Sequence, residues 1–185
     1  MNSVTTHETT QELVVLLDEA GNAIGTAPKS EVHHGSTPLH LAFSCYLLDE
    51  AGRVLLTRRA LGKRAFAGIW TNSFCGHPGP DEALVDAVIR RARDELGVDI
   101  EDPLCVLPDF RYQAVDASGV VENEVCPVFC ARAVGPVAAD PGEVMDFLWV
   151  TWEQLRAAAE LPWAISPWAA RQVPLLEAAG VGRLR

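Results

Sequence analysis

A thiol, an imidazole and several charged side chains are concentrated between residues 71 and 98. Cys75 and His77 stand two positions apart, a spacing that places both side chains on one face of an extended segment. Apolar residues then recur at every fourth position, which predicts an amphipathic helix: Leu84, Val88, Ala92 and Leu96. On this helix Arg91 and Glu95 are four residues apart and share a face. One loop and one helix would therefore bring a thiol, an imidazole and a charge pair to one site.

Residues on either side of this helix predict where it begins and ends. The Pro-Gly-Pro sequence at 78–80 disfavours regular structure, and Asp81 is predicted to be the N-cap of a helix that starts at Glu82. Gly97 is predicted to end the helix, because glycine readily adopts the left-handed conformation found there.

Positive charge is concentrated in one short segment. The chain has a formal net charge of −10, yet four of its 15 Lys and Arg residues are Arg58, Arg59, Lys63 and Arg64. Such a cluster in an acidic chain favours a small anion as partner, and the overall charge is unsuited to a nucleic acid. Taken alone, the cluster fits a solvated hairpin loop even better.

Glu122 and Glu124 are predicted to share one face of a strand over residues 120–132. Two such carboxylates repel each other unless positive charge lies between them. An exposed, charged strand face is an equally good interpretation of this segment alone. Three of the five histidines are candidate ligands and favour a divalent metal site with these carboxylates: His33, His40 and His77.

Alternating and apolar segments predict an α+β fold, an α/β/α sandwich with a mixed central β-sheet flanked by helices. Two hairpins are expected, formed by residues 12–17 with 23–27 and by residues 39–48 with 54–58. A helical turn is predicted between them, over residues 28–34. Further strands or extended segments are expected at 103–106, 108–115, 120–132 and 147–150.

The C-terminal part of the chain is predicted to be helical. Thr151 and Gln154 form a capping box for a helix that runs to about Glu160. Ser166 is the predicted N-cap of the final helix, with a proline at its first position. Trp168 follows this cap, on a segment that could cover a pocket.

Length and composition predict a single domain over residues 11–185, preceded by a flexible tail over residues 1–10. No apolar run approaches the ~20 residues of a membrane-spanning helix, and the N-terminus lacks the features of a signal peptide. Five cysteines without a CxxC pair favour a reducing compartment. A cytoplasmic protein without a membrane partner is therefore expected. Its oligomeric state is left open, a monomer included.

Residues 76–98 resemble the Nudix box, whose pattern is G-x5-E-x7-R-E-apolar-x-E-E-x-G-apolar. The positions in register are Gly76, Glu82, Arg90, Glu95, Gly97 and Val98. Two positions depart, because Arg91 stands where the box has a Glu and Asp94 replaces the first Glu of the final pair. Nudix hydrolases gather several box carboxylates around divalent metals, so a cation within that cluster favours another chemistry on the same fold.

Four further segments narrow the resemblance: TNSFCGHP, DFRYQA, VENEVCPVF and ISPWA. With them the chain closely resembles the type 1 isopentenyl diphosphate isomerases, a non-hydrolytic branch of the Nudix fold, from about residue 14 to residue 168. The resemblance implies an enzyme of isoprenoid biosynthesis that interconverts isopentenyl diphosphate and dimethylallyl diphosphate. The implied reaction is a metal-dependent protonation and deprotonation through a carbocation-like transition state. Its partner would be a small allylic or homoallylic diphosphate.

The same resemblance implies roles for individual residues. Cys75 and Glu124 would handle protons on opposite faces of the double bond, Tyr112 would bond near the carboxylate, and Trp168 would face the developing cation. One site for Mg²⁺, Mn²⁺ or Zn²⁺ would be formed by His33, His40, His77, Glu122 and Glu124. Glu95 would help to hold a Mg²⁺ that bridges to the diphosphate. The diphosphate itself would be bound by Lys29, Arg59, Lys63 and Arg91.

Two alternative functions are open at this point. A Nudix hydrolase of a nucleoside diphosphate compound is disfavoured by the missing box carboxylates. A non-catalytic Nudix-fold module that binds a metal or ligand is disfavoured because Cys75 and Glu124 are both present among intact candidate ligands.

Overall fold

The computed structural model of the protein describes residues 12–183. Its strands are β1 (Leu13–Leu17), β2 (Ala23–Pro28), β3 (His40–Leu41), β4 (Phe43–Leu48), β5 (Val54–Arg59), β6 (Trp70–Thr71), β7 (Phe74–Gly76), β8 (Asp99–Leu107), β9 (Arg111–Val115), β10 (Val121–Val125), β11 (Val128–Val134) and β12 (Val144–Val150). Its helices are α1 (Lys29–Val32), α2 (Leu84–Leu96), α3 (Trp152–Ala159) and α4 (Pro167–Ala178), followed by a 3-10 turn at Val181–Arg183. The tail predicted over residues 1–10 lies outside the described residues.

The strands form two sheets. The order in the first is β2-β1-β3-β10-β9, and in the second it is β12-β5-β4-β11-β8, with β6 paired to β5 and β7 to β4. Both sheets are mixed, because β3 is parallel to β10 and β4 is parallel to β11, whereas their other pairs are antiparallel. The predicted α+β class is confirmed, with two mixed sheets in place of one central sheet.

The second sheet is covered by helices on both faces. Strand β4 illustrates why both faces are covered. Its successive side chains point to opposite faces of the sheet and pack in two different cores. Cys45 and Leu47 pack in the core that contains α2, whereas Tyr46 packs in the core that contains α3 and α4. On α2, Val88 and Leu96 of the predicted apolar stripe are fully buried. The α/β/α arrangement thus follows from the periodicity of the strand and the helix.

Two segments predicted as single strands are each divided between the two sheets. Residues 39–48 break at Ala42, which separates β3 from β4, and residues 120–132 break before Pro127, which separates β10 from β11. The breaks lie side by side, since Ala42 donates its N–H to the carbonyl of Val125 at 2.9 Å and Ser44 donates to that of Pro127 at 3.1 Å. Proline has no N–H to donate, so a regular ladder cannot continue through this point.

The predicted start of α2 is wrong, and its predicted end is confirmed. The helix begins at Leu84, and Asp81 is not its N-cap. Asp81 instead adopts a left-handed conformation with φ of 61°, while the Glu82 carboxylate accepts from the N–H of Gly79 at 2.7 Å. The loop is therefore closed by Glu82 rather than by a cap. At the other end Gly97 has φ of 58°, as expected of a glycine that terminates a helix.

The predicted caps of the two C-terminal helices are confirmed. Gln154 accepts from the N–H of Thr151 at 2.9 Å, and the hydroxyl of Thr151 accepts from the N–H of Gln154 at 3.3 Å. The hydroxyl of Ser166 accepts from the N–H of Ala169 at the start of α4, at 3.3 Å. Strands β8 and β12 are longer than predicted. Among residues 12–183, no helix combines the length and the apolar character needed to cross a membrane.

Candidate active site

A cavity of about 480 Å³ is lined by residues of both sheets and of helices α1, α2 and α4. All the predicted site residues except His40 contribute to this lining. His40 is fully buried behind it, on β3. The fold therefore brings together residues that are far apart in the sequence.

Three histidines and one glutamate converge beside the cavity. One potential ligand atom from each lies within 4.8 Å of all the others: His33, His40, His77 and Glu124. Strand pairing places two of them, because His40 on β3 is in register with Glu124 on β10. Glu122 is adjacent rather than part of this tight group, with its Oε2 3.2 Å from Nε2 of His33.

The imidazole nitrogens and carboxylate oxygens of this cluster are suitable ligands for a divalent cation. Nε2 of His40, both ring nitrogens of His77 and Oε2 of Glu122 are buried without a well-oriented hydrogen-bond partner among the described residues, even though Oε2 of Glu122 lies close to His33. Nδ1 of His40 lies 2.9 Å from the carbonyl of Pro38, which favours a proton on Nδ1 and a free lone pair on Nε2. Buried polar atoms without partners are costly, and a cation bound by imidazole nitrogens and a carboxylate would satisfy them.

Burial and neighbouring groups set the protonation of the cluster. Burial would raise the pKa of Glu124, but His40 and His77 beside it hold that pKa well below its usual value. Burial lowers the pKa of His77 to about 4, so this ring is neutral and suited to bind a cation. Burial raises the pKa of Glu122, and the charge of Glu124 raises it further. A cation between the two carboxylates would relieve their repulsion.

Cys75 is held at the edge of the second sheet. It lies on β7 in register with Ser44 of β4, and its sulfur is 3.4 Å from the Ser44 hydroxyl oxygen. Burial raises the pKa of the Cys75 thiol to about 12, so the thiol keeps its proton at neutral pH. A protonated thiol is a poor nucleophile, so Cys75 presents a proton-bearing sulfur rather than a thiolate to the cavity.

Aromatic rings form one wall of the cavity. Trp168 is only 1% exposed, and its ring centroid lies 5.6 Å from that of Tyr112 and 5.1 Å from that of Phe66. The expectation that Trp168 lies on a covering segment is wrong, because the residue belongs to the first turn of α4. Tyr112 is the cross-strand partner of Glu124, and burial raises the pKa of its hydroxyl well above the usual value. That hydroxyl can therefore donate a hydrogen bond near the carboxylate.

Known proteins share much of this sequence. Residues 38–176 match the family model described as NUDIX domain. The chain is 72% identical over 173 residues to an isopentenyl-diphosphate Delta-isomerase of Mycolicibacterium vanbaalenii, which covers 94% of this chain and 96% of that relative. It is 60% identical over 166 residues to an isopentenyl-diphosphate Delta-isomerase of Clavibacter michiganensis, which covers 89% of this chain and 86% of that relative. The chain belongs to the isopentenyl-diphosphate Delta-isomerase family. The predicted family and enzyme class are thereby confirmed.

Solved structures show that this isomerase family member has a Nudix fold. The crystal structure of DR0079 from Deinococcus radiodurans gives a TM-score of 0.67 at 19% identity, with 88% of this chain and 98% of that chain covered. The MutT protein from Methanosarcina mazei gives 0.59 at 20% identity, with 80% and 97% covered. At such low identities the likeness concerns the fold alone.

The cationic end of the isomerase cavity is already paired with carboxylates. Nζ of Lys29 lies 2.7 Å from Oε2 of Glu12. Lys63 forms an ion pair with Glu143, whose other oxygen lies 3.4 Å from Nη2 of Arg91. Burial would raise the pKa of Glu143, but Lys63 and Arg91 hold it below its usual value. Carboxylates thus keep several cations in fixed positions near one end of the cavity.

The predicted cationic cluster is divided by the fold. Arg59, Lys63 and Arg64 line the cavity, whereas Arg58 does not. The guanidinium of Arg59 lies 5.8 Å from the ring centroid of Trp168 and so connects the cationic end to the aromatic wall. The position of these residues supports an anion site rather than a solvated loop.

The contacts of Arg91 show what this arginine does at a position where the Nudix box has a glutamate. Its guanidinium is buried and ion-paired with Glu95 one helical turn later, with Nε 3.1 Å from Oε1. Burial would lower the pKa of Arg91, but the charges of Glu95 and Glu143 raise it. The box carboxylate that remains at Glu95 is therefore engaged by a cation within the protein.

Sequence reasoning did not single out Glu143, Asn72 or Ser44. Glu143, in the loop before β12, pairs with Lys63 and Arg91 of the cavity lining, and no local pattern marks it. Asn72 and Ser44 lie beneath the cavity, each 3.4 Å from the sulfur of Cys75. The available signal was that Asn72 falls within TNSFCGHP, three residues before Cys75.

Proposed function

We propose that this chain interconverts isopentenyl diphosphate and dimethylallyl diphosphate, as an enzyme of isoprenoid biosynthesis. The proposal rests on one cavity whose lining combines three kinds of chemical group. It combines cations at one end, a protonated thiol and a carboxylate, and a buried indole. A diphosphate with a short branched hydrocarbon tail matches this combination.

Moving the double bond requires one proton to be added at one carbon and another to be removed. An isolated alkene is a weak base, so the transition state has the character of a tertiary carbocation. In the proposed mechanism, Cys75 and Glu124 donate and accept these protons, and the direction of the reaction decides which of them acts first. Tyr112 would hydrogen-bond to the carboxylate and keep it in place.

Trp168 would stabilise the developing positive charge with the face of its indole ring. A cation–π interaction contributes ~2 kcal/mol or more where water is excluded. Trp168 and Tyr112 are both nearly fully buried, so the wall they form offers little room for water. Excluding water also protects the cation from being trapped.

The metal requirement is part of the proposal. His33, His40, His77 and Glu124 would hold one divalent cation, with Glu122 as a further ligand, and Glu95 would help to hold a Mg²⁺ beside the diphosphate. A cation in these places would neutralise negative charge on the carboxylates and on the substrate. Imidazole and carboxylate ligands suit Mg²⁺, Mn²⁺ and Zn²⁺ to different degrees, so the first site is assigned to this group of metals.

Lys29, Arg59, Lys63 and Arg91 would bind the diphosphate and leave it intact. A hydrolase must place an activated water at that group, and Nudix hydrolases do so with box carboxylates. Here Arg91 occupies one of those positions and engages Glu95. The arrangement supports binding without cleavage.

The proposed partner is therefore a small allylic or homoallylic diphosphate. A cytoplasmic location stays a prediction, based on the five unpaired cysteines. The oligomeric state also stays open.

Proton NMR of isopentenyl diphosphate with the protein and Mg²⁺ in D₂O tests the proposal directly. We expect the terminal methylene signals to disappear while deuterium enters a methyl group of the product. A substrate that stays unchanged, although the metal site is shown to be filled, would contradict the isomerase proposal. Phosphate release from a panel of nucleoside diphosphate compounds would then support the hydrolase alternative.

A further inference from the structure

A buried carboxamide beneath the cavity joins two of the proposed catalytic side chains. Asn72 is fully buried and lies in the bend between β6 and β7. Its Oδ1 accepts from the indole N–H of Trp168 at 2.9 Å and lies 3.4 Å from the sulfur of Cys75. The hydroxyl of Thr71 donates to the same oxygen at 2.8 Å. One oxygen atom therefore contacts both the thiol and the indole.

The orientation of this carboxamide is fixed from its other end. Nδ2 of Asn72 donates to the main-chain carbonyls of Cys45 at 3.0 Å and Phe74 at 2.6 Å. Carbonyl oxygens only accept hydrogen bonds, so the NH₂ group must face them and Oδ1 must face the cavity side. The indole N–H of Trp168 can only donate, which requires the same orientation.

The thiol of Cys75 is supported from a second direction. The Ser44 hydroxyl lies 3.4 Å from the sulfur and accepts from Nε2 of Gln172 at 3.0 Å. Oε1 of Gln172 in turn accepts from the Tyr46 hydroxyl at 2.9 Å. Because Gln172 already donates to Ser44, the hydrogen of Ser44 is available to a sulfur atom. Ser44 lies 3.4 Å from the sulfur of Cys126 as well, so its hydrogen can serve either sulfur. The sulfur of Cys75 thus lies between the acceptor oxygen of Asn72 and the hydroxyl of Ser44.

We propose that Asn72 is a positioning residue for the isomerisation, holding the Cys75 thiol and the Trp168 indole in one fixed relative geometry. This inference rests on the proposed function. Proton transfer and cation–π stabilisation must act on the same small hydrocarbon group, and both depend steeply on distance and angle. The side chains of Cys75 on β7 and Trp168 on α4 both contact Oδ1 of Asn72, which holds them in place relative to each other.

The first test compares kinetic constants of the metal-loaded wild-type enzyme and its Asn72→Ala variant. We expect kcat to fall by about 100-fold, as misplacement of reacting groups typically causes. KM for isopentenyl diphosphate should change little, because the proposed diphosphate ligands do not contact Asn72. Thr57→Val is the matched control, since the Thr57 hydroxyl donates at 2.9 Å to the main-chain oxygen of Asn72 and is equally buried. We expect kcat of this control to be unchanged.

A spectroscopic measurement separates positioning from general loss of structure. The indole N–H signal of Trp168 can be assigned among those of the five tryptophans by its loss in Trp168→Phe. In Asn72→Ala this signal should move to the position of a weaker hydrogen bond and exchange faster with solvent, while the other indole signals stay in place. Asn72→Ser provides the same comparison if the alanine variant is not recovered folded.

A double-mutant cycle completes the test. If Asn72 acts partly through the indole N–H, Asn72→Ala should reduce kcat by only about tenfold in a Trp168→Phe background. An unchanged kcat in folded Asn72→Ala would overturn the proposal. So would an equal loss of kcat in both backgrounds together with an unmoved indole signal. Failure of the proposed function itself looks different, because then the wild-type enzyme leaves the diphosphate substrate unchanged.

Discussion

Cys75 shows how much its surroundings change the chemistry of a side chain. A lone cysteine is usually a small apolar residue. Here the thiol lines a cavity with Glu124 and Trp168, keeps its proton through burial, and contacts polar groups on two sides. These neighbours, rather than the cysteine itself, support its role in proton transfer.

Cys75→Ala should abolish most of the isomerase activity while the protein stays folded. We expect kcat to fall by about 10³-fold, within the range found when a general acid or base is removed. Cys105→Ala is the matched control, because Cys105 is exposed on β8 and outside the cavity lining. Wild-type isomerase activity in Cys75→Ala would contradict the proposed role of this thiol in proton transfer.

Arg91→Glu restores the residue type of the Nudix box and should weaken isomerisation without creating efficient hydrolysis. A carboxylate at this position would face Glu95 and Glu143 in a buried place, and losing one partner of a buried ion pair typically costs about 3–5 kcal/mol. Arg93→Glu is the control on the same helix, since Arg93 is exposed and pairs only with exposed Asp99 among the described residues. NMR of the substrate and a phosphate-release assay measure both activities, and rapid phosphate release by Arg91→Glu would refute the idea.

At the scale of helices and strands, sequence patterns correctly predicted the features that depend on residues close together in the chain. The stripe on α2, its glycine end and the Thr151 capping box all depend on residues within a few positions of one another. The start of α2 was mispredicted because Glu82, rather than Asp81, closes the preceding loop through its side chain. The breaks at Ala42 and Pro127 depend on a neighbouring strand that is distant in the sequence. Patterns along one segment cannot show such a partner.

Gly76 connects strand β7 to the loop before α2 and is predicted to tolerate no side chain. A Cβ atom there would lie 2.8 Å from Cγ of Arg91 and 2.8 Å from Cζ of Phe43. Gly76→Ala should therefore destabilise the protein by about 1–3 kcal/mol, as overpacking commonly does. Gly62→Ala is a suitable control, because nothing lies within 4 Å of a Cβ at that glycine. Urea denaturation measures both, and equal stability of the two variants would contradict the prediction.

At the scale of the whole molecule, the site exists only where the two sheets and three helices meet. The resemblance of short segments to a known family placed nearly all the predicted residues in the cavity, including Lys29 and Trp168 at opposite ends of the chain. It could not supply the partners that hold them. Glu143 and Ser44 act through contacts across the fold that their neighbours in the sequence do not reveal. Asn72 lies near Cys75 in the sequence, but its contact with Trp168 is equally distant.

Removing divalent metal should lower both activity and stability. A ligand that binds only the folded protein stabilises it by about 2.7 kcal/mol at a concentration 100 times its Kd. We expect Tm to fall after chelation and to recover when Mn²⁺, Zn²⁺ or Mg²⁺ is added back. His33→Asn should reduce this recovery, whereas His34→Asn, outside the cluster, should retain it. A Tm that does not respond to metal would contradict the proposed site.

The pairing of His40 with Glu124 has a consequence for the order of folding. The two residues belong to parallel strands, so they meet only after the long intervening chain has organised. Parallel pairs of this kind form slowly, because a large loop must close before they gain any contact. We expect the metal-binding arrangement to be complete only in the last stage of folding, because it also needs His33 and His77 from two other segments. Interactions formed that late do not accelerate folding, but they slow unfolding. Bound metal should thus mainly slow the unfolding of the folded protein.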